Sequence, residues 1–383
     1  MIGGGCLAIR FLHTSDWQMG MKALQAGEKA KELRSKRYDS AAQVAAIAKR
    51  ELVDFVIIAG DLFEHHDVDE SVVRKTVAVL DEFAPITVFI LPGNHDPLIA
   101  GGVWDRKSWQ KAGKHVILLK ERAEVPLENN AVLYPSPLSQ KQSNLDPTEW
   151  IPKREPGDDR IRIGVAHGSL GILPGQTNFP IAESRAREAS LDYLALGDWH
   201  GFVERGDTVY PGTMEQTSFD ELDPGNVAIV EISDAGAKPV VTKKRVGLLK
   251  WSEHRPEIHD ETDVDKLRES LASNGSLDNH MVRVAPIIHP DVSEGAMLRL
   301  AELREEILDE VFYLDWDEET VIPPMNILVS IPEGMLARID SDLDAVLQQK
   351  IPEGPCRVAA SRDPEIVREA RSLLRKLTSE VKI

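Results

Sequence analysis

Cysteine is nearly absent from this chain: in 383 residues there are two, Cys6 and Cys356. Two thiols so far apart form neither a disulfide framework nor a thiolate zinc site. Long apolar runs are missing as well. The hydrophobic stretches are strand-length, and none approaches the ~20 residues that a membrane span requires. The opening Met1-Ile-Gly-Gly-Gly-Cys6 lacks a charged segment followed by an apolar one, so no secretion signal is read there. Positive charge is also in short supply, with 45 Lys and Arg against 63 Asp and Glu, a formal net charge of −18. That balance argues against a surface that binds nucleic acid by phosphate contacts alone. Bound metal ions, however, supply local positive charge that a residue count does not register. A soluble, reduced, cytoplasmic protein without membrane association is expected.

What remains is ordinary globular material, 42% hydrophobic and 28% charged. The length calls for two or three domains. The organising stretch is Ile86–Leu91, a β-branched and apolar run halted by Pro92-Gly93, after which stand Asn94, His95 and Asp96. The same arrangement recurs along the chain. Ile9–Thr14 reads as a strand closed by Ser15-Asp16-Trp17-Gln18, and Val53–Ile58 as one closed by Gly60-Asp61. Ile161–Ala166 is closed by His167-Gly168, and Tyr193–Leu196 by Gly197-Asp198-Trp199-His200. Helical spacing is read over residues 40–51 and 70–83, between the early strands. Alternation of strands and helices is the mark of an α/β domain.

Further strands are expected at residues 116–119, 131–134, 209–213 and 227–232. Beyond Asp234–Ala237 the composition changes, with short strands at 240–241, 281–287 and 326–331 and helices at 264–272 and 294–310. After Pro332-Glu333-Gly334 two amphipathic stripes follow, one from Leu336 to Leu347 and one from Ile366 to Val381. Three regions are therefore expected: 1–235, a small α+β domain over 236–332, and a helical segment over 333–383. The basic run Lys29 to Arg37 reads as a solvated face, with contact to phosphates as the weaker alternative. The acidic run from Asp315 to Glu319 reads as a solvated loop.

Ligands of open α/β sheets gather at the carboxyl ends of strands. Here those ends carry three carboxylates (Asp16, Asp61, Asp198), two amides (Gln18, Asn94) and three imidazoles (His95, His167, His200). Taken singly, each is an ordinary turn, cap or core residue. All of them at the same place relative to a strand make a site. A mixed oxygen and nitrogen set without sulfur suits Mn²⁺, Fe²⁺ or Zn²⁺. It has enough donors for two ions sharing a carboxylate at the ~3.5–4 Å spacing of binuclear hydrolases.

Asp16-x-Gln18, Gly60-Asp61, Gly93-Asn94-His95-Asp96, His167-Gly168 and Gly197-Asp198-x-His200 resemble the five signature blocks of calcineurin-like metallophosphoesterases. Phe11–Asp16, Gly60–Phe63, Leu196–His200 and Tyr210–Thr213 with Glu215 resemble the Mre11/SbcD nuclease branch. The resemblance implies a two-sheet α/β sandwich with metals at the sheet ends, a capping domain, and C-terminal helices that grip the coiled coil of a Rad50/SbcC-type ATPase. It implies that Asp61 bridges two divalent ions, most simply Mn²⁺, with Mg²⁺ or Fe²⁺ as alternatives. Asp16, Gln18 and His200 would complete one site; Asn94, His167 and Asp198 would complete the other. His95 would contact the phosphate and protonate the leaving oxygen, with Asp96 orienting its ring. The implied activity is exo- or endonucleolytic hydrolysis of DNA by a homodimer. The rival readings are a phosphoesterase for RNA, cyclic nucleotides or small esters, and a DNA-end scaffold without catalysis. Gln18 and Asp198 stand where many members have histidine, which shifts preference from Zn²⁺ towards Mn²⁺ or Mg²⁺. Glu64 likewise replaces a histidine that often follows Gly-Asp-Leu-Phe.

Overall fold

The computed structural model describes residues 8–171, 177–273, 276–289, 292–317, 334–348 and 350, together with 366, 367, 370, 371, 373 and 374. It divides into two units, Met1–Trp251 and Ser252–Ile383.

The first unit is built on two six-stranded mixed sheets. One runs in the order β12-β11-β1-β2-β3-β4, with β1 Ile9–Thr14, β2 Phe55–Ala59, β3 Thr87–Leu91, β4 Val116–Leu118, β11 Asn226–Ile232 and β12 Val240–Arg245. The other runs β5-β6-β7-β8-β10-β9, with β5 Val125–Leu127, β6 Ala131–Pro135, β7 Ile161–His167, β8 Tyr193–Gly197, β9 Val203–Arg205 and β10 Thr208–Tyr210. Strands β1 to β4 are mutually parallel, as are β6, β7 and β8.

Strand alternation explains why the sheets stack. In β2, Phe55, Ile57 and Ala59 face the second sheet, where they meet Leu133, Ile163, Val165, Tyr193 and Ala195. Aromatic rings fill this layer: Phe11 stacks on Phe55 at 5.0 Å and meets Tyr193 edge-on at 5.4 Å. The other face of β2, Val56 and Ile58, packs under helices α1 (Ala30–Arg50) and α2 (Glu70–Asp81) through Val44, Ala48, Val73, Val77 and Leu80. On the outer face of the second sheet, Tyr134, Ala166, Leu194 and Leu196 pack with Ala186 of the short α3 (Arg185–Glu188) and with Leu191. This is the expected two-sheet α/β sandwich.

Several details differ from the sequence reading. Helix α1 begins ten residues earlier than the alanine-rich stretch suggested, because Leu33 and Arg37 continue its buried stripe. Arg37 is therefore no surface phosphate contact. Its guanidinium is buried and donates to the carbonyls of Trp17 (3.3 Å) and Glu215 (2.8 and 3.0 Å). Residues 240–241 belong to β12, which pairs with β11 at the edge of the first sheet, so the first unit runs on past residue 235. Strands β5 and β9 are three-residue edge strands whose patterns are too short to read.

β13 (Lys250–His254), whose residues from Ser252 on belong to the second unit, forms a three-stranded sheet with β15 (His280–Val284) and β17 (Tyr313–Trp316). The acidic run thus starts inside a strand, at Asp315, rather than in a loop. A parallel pair joins β14 (Glu257–Ile258) to β16 (Ile287–Ile288). Helices α4 (Glu261–Ala272) and α5 (Glu294–Leu308) are capped by Asp260 and Ser293 and share a core with Ile258, Val282, Val284 and Ile288. The first C-terminal stripe is α6, Met335–Leu347. Residues 326–331, both cysteines and part of the second stripe lie outside the described residues.

Arg37→Ala should lower unfolding free energy by about 3 kcal/mol, because it strands buried carbonyls. Lys31→Ala, exposed on the same helix, should stay within about 0.5 kcal/mol in the same urea titration. Equal effects of the two substitutions would contradict this placement of Arg37.

Candidate metal centre

Because the central strands of both sheets run parallel and end at one edge, five loops converge there. His167 Nδ1, at the end of β7, lies 2.9 Å from the carbonyl of Ala59, at the end of β2, and fastens the two sheets together. The loops after β1 and β2 are zipped by backbone hydrogen bonds, from Asp16 N to Gly60 O (3.1 Å), Gln18 N to Asp61 O (3.0 Å) and Met19 N to Leu62 O (2.9 Å). These loops fold back sharply. Asp16, Gln18, Asp61 and Asp198 all have positive φ, at 53°, 48°, 51° and 106°. Each such conformation costs on the order of 1–3 kcal/mol in a non-glycine residue and persists only where its surroundings enforce it. Four of the seven expected metal ligands share this feature.

Two glycines make the convergence sterically feasible. A Cβ on Gly60 would lie 2.1 Å from His167 Nδ1, and one on Gly93 would lie 2.2 Å from Asp61 Oδ1. Glycine is required at both for close approach, and at Gly60 also for its φ of 93°.

The side chains come together as the sequence pattern predicts. Asp16, Asp61 and His167 are buried and offer ligand atoms within 4.8 Å of one another. Asp61 Oδ2 is 3.4 Å from His167 Nε2 and 3.4 Å from Gln18 Nε2, while its Oδ1 accepts from the His95 backbone N–H at 2.9 Å. His167 Nε2 is 2.8 Å from Asn94 Oδ1 and 3.9 Å from Asp198 Oδ1. The Asp16 carboxylate accepts from the Asp198 backbone N–H at 3.2 Å and from the Ser15 hydroxyl at 2.5 Å. Asp61 stands at the centre of the group.

His200 and His95 flank this centre on a cleft of about 420 Å³, shared with Gln18, Lys22, Leu24, Glu64, His65 and Thr217. His200 Nδ1 lies 2.6 Å from Glu221 Oε1, whose other oxygen accepts from the Thr217 N–H at 2.9 Å. Such a carboxylate fixes the imidazole tautomer and leaves Nε2 free for a cation. Glu221 was not foreseen; it follows no strand and carries no motif. The Ala59 carbonyl does the same for His167, again leaving Nε2 towards the site.

One expectation fails. Asp96 does not orient the His95 ring. Its carboxylate oxygens accept from the backbone N–H groups of Gly93 (2.7 Å) and Phe63 (3.0 Å), bracing the turn after β3. The His95 ring is held instead by the carbonyl of Glu64, 2.9 Å from Nδ1. Burial, with the nearby charge of Asp61, pushes the Asp96 carboxyl up to about 7. The departure at Glu64 thus leaves intact what its backbone does for His95.

The electrostatics ask for a cation. Burial raises the carboxyl of Asp16 and lifts that of Asp198 to about 6. Burial acts on Asp61 in the same direction, but the charge and hydrogen bond of His167 outweigh it and hold Asp61 low. Burial alone would lower both histidines; Asp61 raises His167 well above the usual range, and the Glu221 hydrogen bond with the surrounding carboxylates brings His200 to about 9. Protons on imidazoles thus offset carboxylate charge that divalent ions would offset better. Two buried oxygens, Gln18 Oε1 and Asp198 Oδ2, have no hydrogen-bond partner. A buried acceptor without a donor is costly unless a cation takes the donor's place. The donor set, mostly oxygen with two imidazoles, fits divalent ions of the Mn²⁺ class.

The chain is similar to several known proteins. The uncharacterized metallophosphoesterase YhaO of Bacillus subtilis strain 168 is 26% identical over 197 residues, 49% of this chain and 47% of that protein. The chain thus spans about half the length of that relative. The DNA double-strand break repair protein Mre11 of Thermoplasma acidophilum is 26% identical over 310 residues, 75% of this chain and 79% of that protein. Among solved structures, the calcineurin-like phosphoesterase YfkN from Bacillus subtilis is 13% identical with a TM-score of 0.38, covering 63% of this chain and 91% of that one. Residues 9–202 match the family model of calcineurin-like phosphoesterases, a span that contains every side chain placed at the sheet edge from Asp16 to His200. The chain belongs to the calcineurin-like phosphoesterase family.

Proposed function

We propose that this phosphoesterase is a metal-dependent DNA nuclease of Mre11/SbcD type, working as a homodimer with a Rad50/SbcC-type ATPase. The observation that carries the substrate class is the extent of the likeness to Mre11. At 310 residues it is longer than the whole first unit, so it reaches into the second. A site for small phosphate esters gives no reason for a shared second unit.

In this reading Asp61 is the shared ligand. Asp16, Gln18 and His200 hold one ion, and Asn94, His167 and Asp198 hold the other. Bound divalent ions would supply Lewis acidity and lower the pKa of a coordinated water. The chain's own residues do the rest. The Asp61 carboxylate is fixed by the His95 N–H, so the shared ligand and the working imidazole are positioned by one loop. His95 lies at the cleft with its side chain about one-third exposed and Nε2 4.0 Å from Asp61 Oδ2. With Nδ1–H donated to the Glu64 carbonyl, Nε2 is the nitrogen that delivers a proton to the departing oxygen. Asp96 contributes by holding the turn from which His95 projects.

Three expected outcomes separate these roles. His95→Ala should keep the metal content of the wild type while kcat for plasmid nicking falls about 10²–10⁴-fold, the range for a lost general acid. Asn94→Ala and Glu221→Ala should instead weaken Mn²⁺ binding roughly 10–100-fold, one by losing a ligand and the other by releasing His200. Asp61→Asn should lose both metal and turnover. If His95→Ala empties the site while Asn94→Ala leaves it filled, the two roles are misassigned. If the wild type with Mn²⁺ cleaves bis-p-nitrophenyl phosphate but no DNA, the nuclease reading is wrong. A wild type that binds DNA, retains no metal and cleaves neither substrate would instead support the scaffold reading.

A further inference from the structure

The second unit carries its own cluster of ligating side chains, and we infer that Glu257, His259 and His289 form an additional binding site for an imidazole-preferring divalent cation such as Zn²⁺. The placement follows from strand register. β14 and β16 are parallel, with Glu257 opposite Ile287 and Ile258 opposite Ile288. Ile258 and Ile288 turn into the core of the unit. Side chains alternate along a strand, so Glu257 and His259 face the opposite way, and the parallel register sets His289 beside His259. The His289 N–H donates to the Ile258 carbonyl at 3.1 Å and the Ser293 N–H to that of His259 at 3.2 Å, so both imidazoles rise from pinned backbone.

The outcome is two imidazoles stacked face to face, with centroids 3.7 Å apart and planes within 23°. Glu257, His259 and His289 each offer one ligand atom within 4.8 Å of the others. The Glu257 carboxylate lies 3.7 Å from His289 Nε2, too far for a hydrogen bond and close enough to share an ion. His259 has the outer partner that metal-binding histidines usually have. Its Nδ1 is 3.3 Å from Asp263 Oδ2 in the first turn of α4, and Asp263 is itself steadied by Lys266 at 2.8 Å. That bond leaves Nε2 of His259 free. Two imidazoles and one carboxylate, two of the three exposed, match the ligand number and type of a three-residue zinc site. Mg²⁺ and Ca²⁺, which prefer oxygen, would be poorly served. The two centres would therefore differ in kind, oxygen-rich at the sheet edge of the first unit and nitrogen-rich here.

The test is equilibrium dialysis of the full chain against micromolar Zn²⁺, comparing wild type with His259→Ala/His289→Ala. The wild type should hold one more Zn²⁺ per chain than the double variant, and both should nick DNA equally with Mn²⁺. On the Asp61→Asn chain, added Cu²⁺ should give an electron paramagnetic resonance spectrum with hyperfine splitting from two nitrogens, which the double substitution removes. Should the double variant fail to fold, Asp263→Asn keeps both imidazoles and should weaken Zn²⁺ binding roughly tenfold. Equal Zn²⁺ content in the wild type and a folded double variant, or a Cu²⁺ spectrum without nitrogen splitting, would overturn the inference. So would Zn²⁺ binding unchanged by Asp263→Asn, where that variant stands in for the double.

Discussion

The Asp61 carboxylate is the contact on which the first unit turns. It is nearly inaccessible to water, sits 3.4 Å from His167 Nε2, accepts the His95 N–H, and lies within reach of Gln18 and Asp16. These partners come from the ends of three strands, Asp16 and Gln18 after β1, His95 after β3 and His167 at the end of β7. A buried carboxylate surrounded by other carboxylates is unfavourable by itself, and the histidines offset only part of the charge. The left-handed backbone of Asp16, Gln18, Asp61 and Asp198 adds to that cost. Such a site persists because the sandwich around it over-determines it. Two aromatic-rich sheets and the helix layer on β1 to β3 hold the strand ends where the chemistry needs them.

That division of labour explains why the core and the site use such different residues. Phe11, Phe55, Ile57, Val165 and Tyr193 have nothing to do with phosphate, yet they fix the distance between β2 and β7. Only then does the Ala59 carbonyl meet His167 and leave Nε2 for a cation. Gly60 and Gly93 act at the same point from the opposite direction, by having no side chain where one would fall on His167 or Asp61. Function here depends on the order in which polar groups follow hydrophobic strands, and on the parallel topology that gathers them.

Much of this was legible in the residues. Apolar strands that end abruptly in polar residues, beside Gly or Pro in all but β1, announced β1, β2, β3, β7 and β8, and those polar residues were the ones that converge. What could not be read was mostly of another physical kind. Arg37 looks like part of a basic run, and only tertiary packing makes it a buried tie between α1 and the Glu215 backbone. Glu221 follows no strand, so its hydrogen bond to His200 is visible only once the chain has folded back. Asp96 follows His95 directly, which invited a side-chain partnership; the tight turn sends its carboxylate to backbone N–H groups instead. β12 lies beyond a polar turn that reads as a boundary, yet its pairing with β11 keeps it in the first sheet. Neither sequence separation nor composition encodes these contacts; the direction of the backbone does.

If the converged carboxylates and imidazoles form a site that a divalent cation completes at Asp61, that cation should stabilise the fold. Calorimetric melting of metal-stripped protein with and without Mn²⁺ tests it most directly. In the wild type, Mn²⁺ at 100 times its Kd should add about 2.7 kcal/mol of stability and raise Tm accordingly. In Asp61→Asn the same addition should leave Tm almost unmoved. A wild-type Tm indifferent to Mn²⁺, or an equal rise in both proteins, would mean that no cation site is built around Asp61.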